Sequence, residues 1–282
     1  MAILAMACSL KAQVSITKHI EFATINDRSL ALDLYRPEAF EEPPLLVWVH
    51  GGAWRRGSKD SMPLTPLTTA GYAIASVEYR LTPEAPFPAQ IHDIKAAIRF
   101  LRARADHFGI DADRVTIAGA SAGGHLAALV GVTNGHSTLA GTAGDFPMHS
   151  SDVQAVISFY GASNLTTILS QSTPHGLSVR VPALELLLGA QPDAKPDLAQ
   201  LASPVFHVDA TDPPLLLIHG DQDPQMPINQ SHELEGAYQD LGLQVSLEVI
   251  HGAAHGGKAF YDADRMQLVM AFLKQHLKPP PQ

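Results

Sequence analysis

A single cysteine, Cys8, in a chain of 282 residues excludes an intramolecular disulfide and any cluster of cysteine ligands around a metal. Basic residues are scarce as well: 19 lysines and arginines stand against 28 acidic residues, a formal net charge of −9. With no basic run in it, such a chain is a poor partner for nucleic acid or an anionic membrane surface. No stretch approaches the ~20 consecutive apolar residues of a membrane span. Charged residues make up only 17% and hydrophobic ones 46%, enough to fill a large core and too apolar for a disordered chain. Repeats and charge blocks are also missing, so residues 14–282 read as a single α/β domain. Residues 1–13, "MAILAMACSLKAQ", are apolar with a small-residue end but lack a basic start. They read as a truncated signal, a mis-called start or a plain N-terminal segment, which leaves export and cytoplasmic retention equally open.

What is present is a regular alternation. "SITKHIEFAT" and "SLALDLYRP", separated by Asn26-Asp27, read as a β-hairpin. "PLLVWVHGG" and "YAIASVEYR" are nearly continuous apolar runs, the mark of strands covered on both faces. "AQIHDIKAAIRFLRARADHFG" has apolar residues at helical spacing, with Gly109 as its stop. Three more strand-like runs follow the serine strand, "VQAVISFYG", "PPLLLIHGD" and "VSLEVIHGA", with helical stretches around Gln230 to Leu241 and Phe260 to Leu277. Strands alternating with helices imply a mainly parallel central sheet flanked by helices on both faces. Thr133 to Ser151 reads as an exposed loop. Ser163 to Pro213 reads as a small insertion after the sixth strand, with one apolar helical run at Val181 to Leu188. Excursions of this kind are expected to shape a binding site.

The chemistry centres on Gly119-Ala120-Ser121-Ala122-Gly123, a match to G-x-S-x-G between a buried strand and a helix. Very small neighbours permit a sharp strand-to-helix turn that lifts a serine hydroxyl out of the sheet. The plain alternative is a helix-capping serine. A nucleophilic serine needs a base, an acid to orient it and donors for an oxyanion. In chain order, "LLLIHGDQDPQMP" supplies Asp221 and Asp223, and "LEVIHGAAHGG" supplies His251 and His255. His251 follows its strand directly, whereas His255 lies on a Gly-Ala loop able to reach the serine, so His255 is taken as base. A zinc site at His251-x-x-x-His255 is disfavoured by Gly252 and Gly256, which suit a helix poorly, and by the lack of a glutamate after His251. Position alone does not choose between Asp221 and Asp223. The loop "VWVHGGAWRRG" follows the first buried strand, where small residues let backbone N–H groups turn inward. Gly52 and Ala53, with Ala122 after the serine, are the expected oxyanion donors. His50 is expected to brace this loop, and Trp54 to line the acyl pocket as a substrate-binding residue, with a packing anchor beside the turn as the alternative.

Taken together, "HGGAW", "YRLTPEAPFPAQIHDIKAAIRFLRARA", "GASAGGHLAALVG", "SSDVQAVISFYG" and "HGDQDPQMPINQS" resemble the α/β-hydrolase esterases. The resemblance runs from about Leu45 to His255 and is closest to the hormone-sensitive-lipase-like and BD-FAE-like groups, the latter acetyl and feruloyl esterases. It implies an α/β-hydrolase fold and hydrolysis of short-chain acyl or aryl and feruloyl esters. It also implies a serine carboxylesterase acting on small-molecule or carbohydrate-linked esters with no metal or organic cofactor. The H-G-x-x-D-x-x-V-P loop of the family places its catalytic aspartate at Asp223, which makes the implied triad Ser121, Asp223 and His255. Met226 replaces the usual valine, and "GASN" replaces G-P-T-D, which leaves Asn164 without that aspartate's role. H-G-G-x-W also resembles the oxyanion loop of kynurenine formamidase, so an arylformamidase is the alternative enzyme. A catalytically inactive binding member of the fold is the alternative outside enzymes.

Overall fold

Asn26 and Asp27 both adopt left-handed backbone, at φ 48° and 63°, which is what a two-residue hairpin loop of type I′ requires. They join β1 (Val14–Ile25) to β2 (Arg28–Pro37) in antiparallel register, Ile25 opposite Arg28. The computed structural model describes residues 13–277, so the segment set apart over 1–13 lies, except for Gln13, outside the described residues. Six further strands complete the sheet: β3 (Pro44–Val49), β4 (Ala73–Val77), β5 (Asp111–Ala120), β6 (Ala155–Phe159), β7 (Leu215–Gly220) and β8 (Val245–Ile250). Their order is β1-β2-β4-β3-β5-β6-β7-β8. β2 pairs antiparallel with β4, and every neighbour pair from β4–β3 to β7–β8 is parallel.

The continuous apolar runs are explained by two cores, one on each face. Leu45, Val47 and Val49 of β3 enter one core, and Leu46 and Trp48 enter the other. β7 divides in the same way, with Leu215 and Leu217 on one side and Leu216 and Ile218 on the other. Alternating side chains thus find apolar surroundings in both directions. The first core is closed by helices Ala89–Ala103, Ala122–Gly131, Pro174–Leu188 and Asn229–Asp240, and the second by Ala263–His276.

Two expectations about the connections need correcting. Residues 133–152 link the end of helix Ala122–Gly131 to the start of β6, so topology places them at the opposite end of the sheet from Ser121. They shape no part of the cavity around Ser121. Helix Ala89–Ala103 holds them instead: Lys95 Nζ donates to the Thr133 carbonyl at 2.6 Å, and Arg99 to those of Ala140 and Ala143 at 2.8 and 2.9 Å. The insertion after β6 carries a longer helix than Val181 to Leu188. It begins at Pro174, capped by Thr173, whose hydroxyl accepts the Gly176 N–H at 3.0 Å, and it runs through Pro182 to Leu188. Proline at the first helical turn costs no hydrogen bond, which is why Pro174 starts the helix.

Candidate active site

Ser121 ends β5 and opens helix Ala122–Gly131 with φ 56° and ψ −119°, a conformation that residues with a side chain rarely hold. The small residues of G-x-S-x-G permit it. A Cβ on Gly119 would meet the Gly123 carbonyl oxygen at 2.2 Å, and one on Gly123 would meet that of Val49 at 2.1 Å. The Ser121 N–H is tied to the Phe159 carbonyl on β6 at 2.8 Å, which fixes the turn to its neighbouring strand.

The Ser121 hydroxyl lies 2.8 Å from His255 Nε2, and His255 Nδ1 lies 2.6 Å from Asp223 Oδ2. An ionised carboxylate only accepts hydrogen bonds, so Nδ1 carries the ring proton and Nε2 is left to accept from the serine. The second oxygen, Asp223 Oδ1, accepts the Gln225 and Met226 N–H groups at 2.8 and 2.9 Å. Burial acts to raise the Asp223 pKa but is outweighed by hydrogen bonds from His219 and His255, by electrostatic attraction to the His255 ring and by the Met226 N–H. The carboxyl is held far below the ordinary range. His219 Nε2 stands 3.5 Å from the carboxylate and is better placed for the Met226 carbonyl, at 3.0 Å. Asp221 has other company. It faces His251 Nδ1 at 2.8 Å and the Gly252 N–H at 2.7 Å, with the His251 side chain 86% exposed.

The loop after β3 turns through three consecutive left-handed residues, Gly52 at φ 118°, Ala53 at 53° and Trp54 at 59°. Only glycine fits at Gly52, where a Cβ would meet the Arg56 carbonyl oxygen at 2.0 Å. The N–H groups of Gly52 and Ala53 have no hydrogen-bond partner among the described residues. Ala122, as first residue of its helix, has no intrahelical acceptor for its own N–H. Gly52 and Ala53 border the cavity, where free donors suit an anion; Ala122 lies behind its wall. His50 braces the loop as expected: its ring Nδ1 lies 2.8 Å from the Gly51 carbonyl and stacks on Tyr79 at 4.4 Å, while the Tyr79 hydroxyl donates to the His50 carbonyl at 3.0 Å. Burial lowers the His50 pKa, the Gly51 contact opposing it, so the brace is a neutral ring.

A strand-turn-helix serine hydrogen-bonded to a histidine on the loop after the last strand, over a mainly parallel sheet, is the layout of an α/β-hydrolase. The family model named BD-FAE matches residues 32–238. The chain belongs to the BD-FAE family. Esterase LipC of Mycobacterium tuberculosis is 33% identical over 239 residues, 82% of this chain and 58% of LipC. Esterase LipQ of the same organism is 32% identical over 217 residues, 75% of this chain and 50% of LipQ. The chain therefore spans about half the length of the curated relatives it matches. A solved structure described as a truncated form of carbohydrate esterase from gut microbiota has a TM-score of 0.86 at 30% identity, covering 95% of this chain and 98% of that one. An acetyl ester-xyloside bifunctional hydrolase from Caldicellulosiruptor lactoaceticus shares the fold, with a TM-score of 0.76 at 23% identity.

In this BD-FAE member the cavity above Ser121 has a volume of about 650 Å³. Trp54 is absent from its wall, which corrects its expected role in substrate binding. The left-handed turn sends the indole inward, where it is fully buried and its Nε1–H donates to His125 Nδ1 at 3.0 Å. The aromatic wall is built instead by Trp48, Tyr160 and Tyr261. Tyr160 packs edge-on against His255 with ring centroids 4.8 Å apart, and its hydroxyl lies 3.1 Å from that of Tyr261. Sequence reasoning missed these residues. The place of Tyr160 at the C-terminal end of an apolar run was the one available signal, and nothing in the pattern distinguished Tyr261. Asn164 closes a local turn, its Oδ1 accepting the Thr166 N–H at 3.1 Å, and lies outside the cavity wall.

Proposed function

We propose that this protein is a serine carboxylic-ester hydrolase that works through an acyl-enzyme. One observation carries the reading: the unbroken hydrogen-bond chain Asp223–His255–Ser121 opens into a cavity bordered by the unpartnered Gly52 and Ala53 N–H groups. In this reading Ser121 attacks the ester carbonyl as His255 takes its proton. Asp223 keeps the imidazole in the right tautomer and stabilises its cationic form. Gly52, Ala53 and Ala122 donate to the oxyanion, a contribution of ~10²–10³ in turnover for each donor. His255 then protonates the leaving alkoxide and activates the water that releases the acid. The relatives, esterases and a carbohydrate esterase among them, support ester hydrolysis as the reaction class.

The substrates proposed are esters with short acyl groups or aryl and feruloyl groups. The insertion after β6 contributes Val179, Arg180 and no broad apolar channel to the cavity. A methylene that finds apolar wall gains ~0.8 kcal/mol, and one left in water gains almost none. Catalytic efficiency on 4-nitrophenyl esters is expected to peak between acetyl and butyryl; an optimum at decanoyl or longer refutes this part. The test of the mechanism is Ser121→Ala, expected to lower turnover by up to ~10⁶ and to abolish the burst of 4-nitrophenol. Among the described residues the hydroxyl bonds only to His255, so the thermal midpoint should stay close to wild type. Retained turnover within tenfold of wild type would remove Ser121 from the mechanism. Including methyl ferulate, acetylated xylan and N-formylkynurenine in the same panel separates ester from formamide hydrolysis.

A further inference from the structure

Arg180 stands in the wall of the same cavity, on helix Pro174–Leu188, with 1% of its surface exposed. Its Nε–H donates to the Gln225 carbonyl at 3.3 Å. Neither of its terminal nitrogens hydrogen-bonds to a described residue, and Nη1 is completely enclosed. Among the described residues no carboxylate pairs with it. Asp223, whose charge it feels, already engages His255 and two backbone N–H groups. The guanidinium lies 5.9 Å from the centre of the Trp54 ring, and the charge of Arg55 adds to the positive field around it. Burial lowers its pKa to about 10, so it stays protonated at neutral pH. Arg56 is a second cation in the wall, and Asp60, already accepting from the Ser58 hydroxyl at 3.0 Å, is the single carboxylate there.

A buried cation without a counter-ion is costly unless something binds it. A guanidinium nitrogen makes a strong, charge-assisted hydrogen bond to a carboxylate oxygen. We propose that the cavity selects esters carrying a second, carboxylate group, which pairs with Arg180 while Ser121 engages the ester carbonyl. The proposal rests on the ester-hydrolase reading and adds the class of substrate. Trp48, Tyr160 and Tyr261 would face the uncharged part of the same molecule.

Two pairs of substrates, each a carboxylate and its carboxamide, test it. Monomethyl adipate against its monoamide places the charge on the acyl side; 4-acetoxybenzoate against 4-acetoxybenzamide places it on the alcohol side. Wild-type protein is expected to show at least tenfold higher kcat/KM for the carboxylate in one pair or the other. Arg180→Met is expected to bring that ratio close to one, and Arg180→Lys to retain part of it. Because the ratio is taken within each variant, losses common to both substrates cancel. Should the methionine variant fail to fold, wild-type protein alone decides: benzoate is expected to inhibit 4-nitrophenyl acetate hydrolysis at least tenfold more strongly than benzamide. Equal efficiencies in both pairs, with benzoate no better than benzamide, overturn the carboxylate proposal and leave ester hydrolysis standing. A preference that survives Arg180→Met also overturns it. Absence of any hydrolysis, 4-nitrophenyl acetate included, overturns both readings.

Discussion

Asp221 and Asp223 stand two positions apart in opposite surroundings. The Asp223 side chain is 1% exposed and bonded to His255, while Asp221 pairs at the surface with the exposed His251. In the mechanism proposed above, an amide at 223 offers Nδ1 a donor where an acceptor is needed and favours the wrong imidazole tautomer. Asp223→Asn is therefore expected to lower kcat by about 10⁴. Asp221→Asn breaks only an exposed surface pair, and its kcat should remain within a few-fold of wild type. Steady-state kinetics on 4-nitrophenyl acetate decide the matter, and a reversed ranking would make Asp221 the acid. Spacing alone left the two aspartates equal, because what separates them is the direction of the loop after β7. Ser121, by contrast, was legible, since the glycines and alanines around it record the close approach of backbones. Arg180 was not. A buried arginine reads as any other polar residue on a helix until its missing partners are seen.

At the level of elements, helix Ala122–Gly131 comes so close to β3 that backbone meets backbone. A Cβ on Gly123 would fall 2.1 Å from the Val49 carbonyl oxygen and 2.6 Å from that of His50. Neither atom belongs to a flexible side chain, so Gly123→Ala must push the helix off the strand that carries the Gly52–Ala53 loop. A stability loss of about 1–3 kcal/mol by urea unfolding is expected, together with at least a tenfold fall in kcat. Wild-type values for both would show that the two elements separate freely. The strands themselves were readable because burial on both faces leaves uninterrupted apolar runs, and the hairpin because Asn-Asp suits left-handed backbone. Two elements were not readable. Residues 133–152 have loop composition wherever they lie, and only the path of helix Ala122–Gly131 assigns them to the far end of the sheet. The helical run read at Val181 to Leu188 is the C-terminal part of one longer helix, which Thr173 and Pro174 start and which passes through Pro182.

For the molecule as a whole, four histidines that lie wholly or partly out of water set the response to acid. Burial pushes the pKa of His125 down to about 4 and lowers those of His50, His92 and His207 as well. In the unfolded chain these rings titrate near 6.5. Their folded values are depressed, so the stability tied to neutral rings is fully present above about pH 6.5 and is lost as pH falls from there towards 4. For His125 alone the loss approaches about 3 kcal/mol at the lower end. Asp212, raised to about 6 by burial, and Asp93, also raised by burial, act in the opposite sense over part of that range. With His125 and three further rings acting in one direction, the urea midpoint is expected to fall between pH 7.5 and pH 5; an unchanged or rising midpoint would contradict this. The hydrogen bond between Ser121 and His255 spans 134 positions of sequence. During synthesis, the hairpin, the loop after β3 and the serine turn all leave the ribosome well before the strand that delivers His255. The growing chain thus carries its proposed nucleophile with no base to activate it, and the proposed ester chemistry waits for β8 to be made.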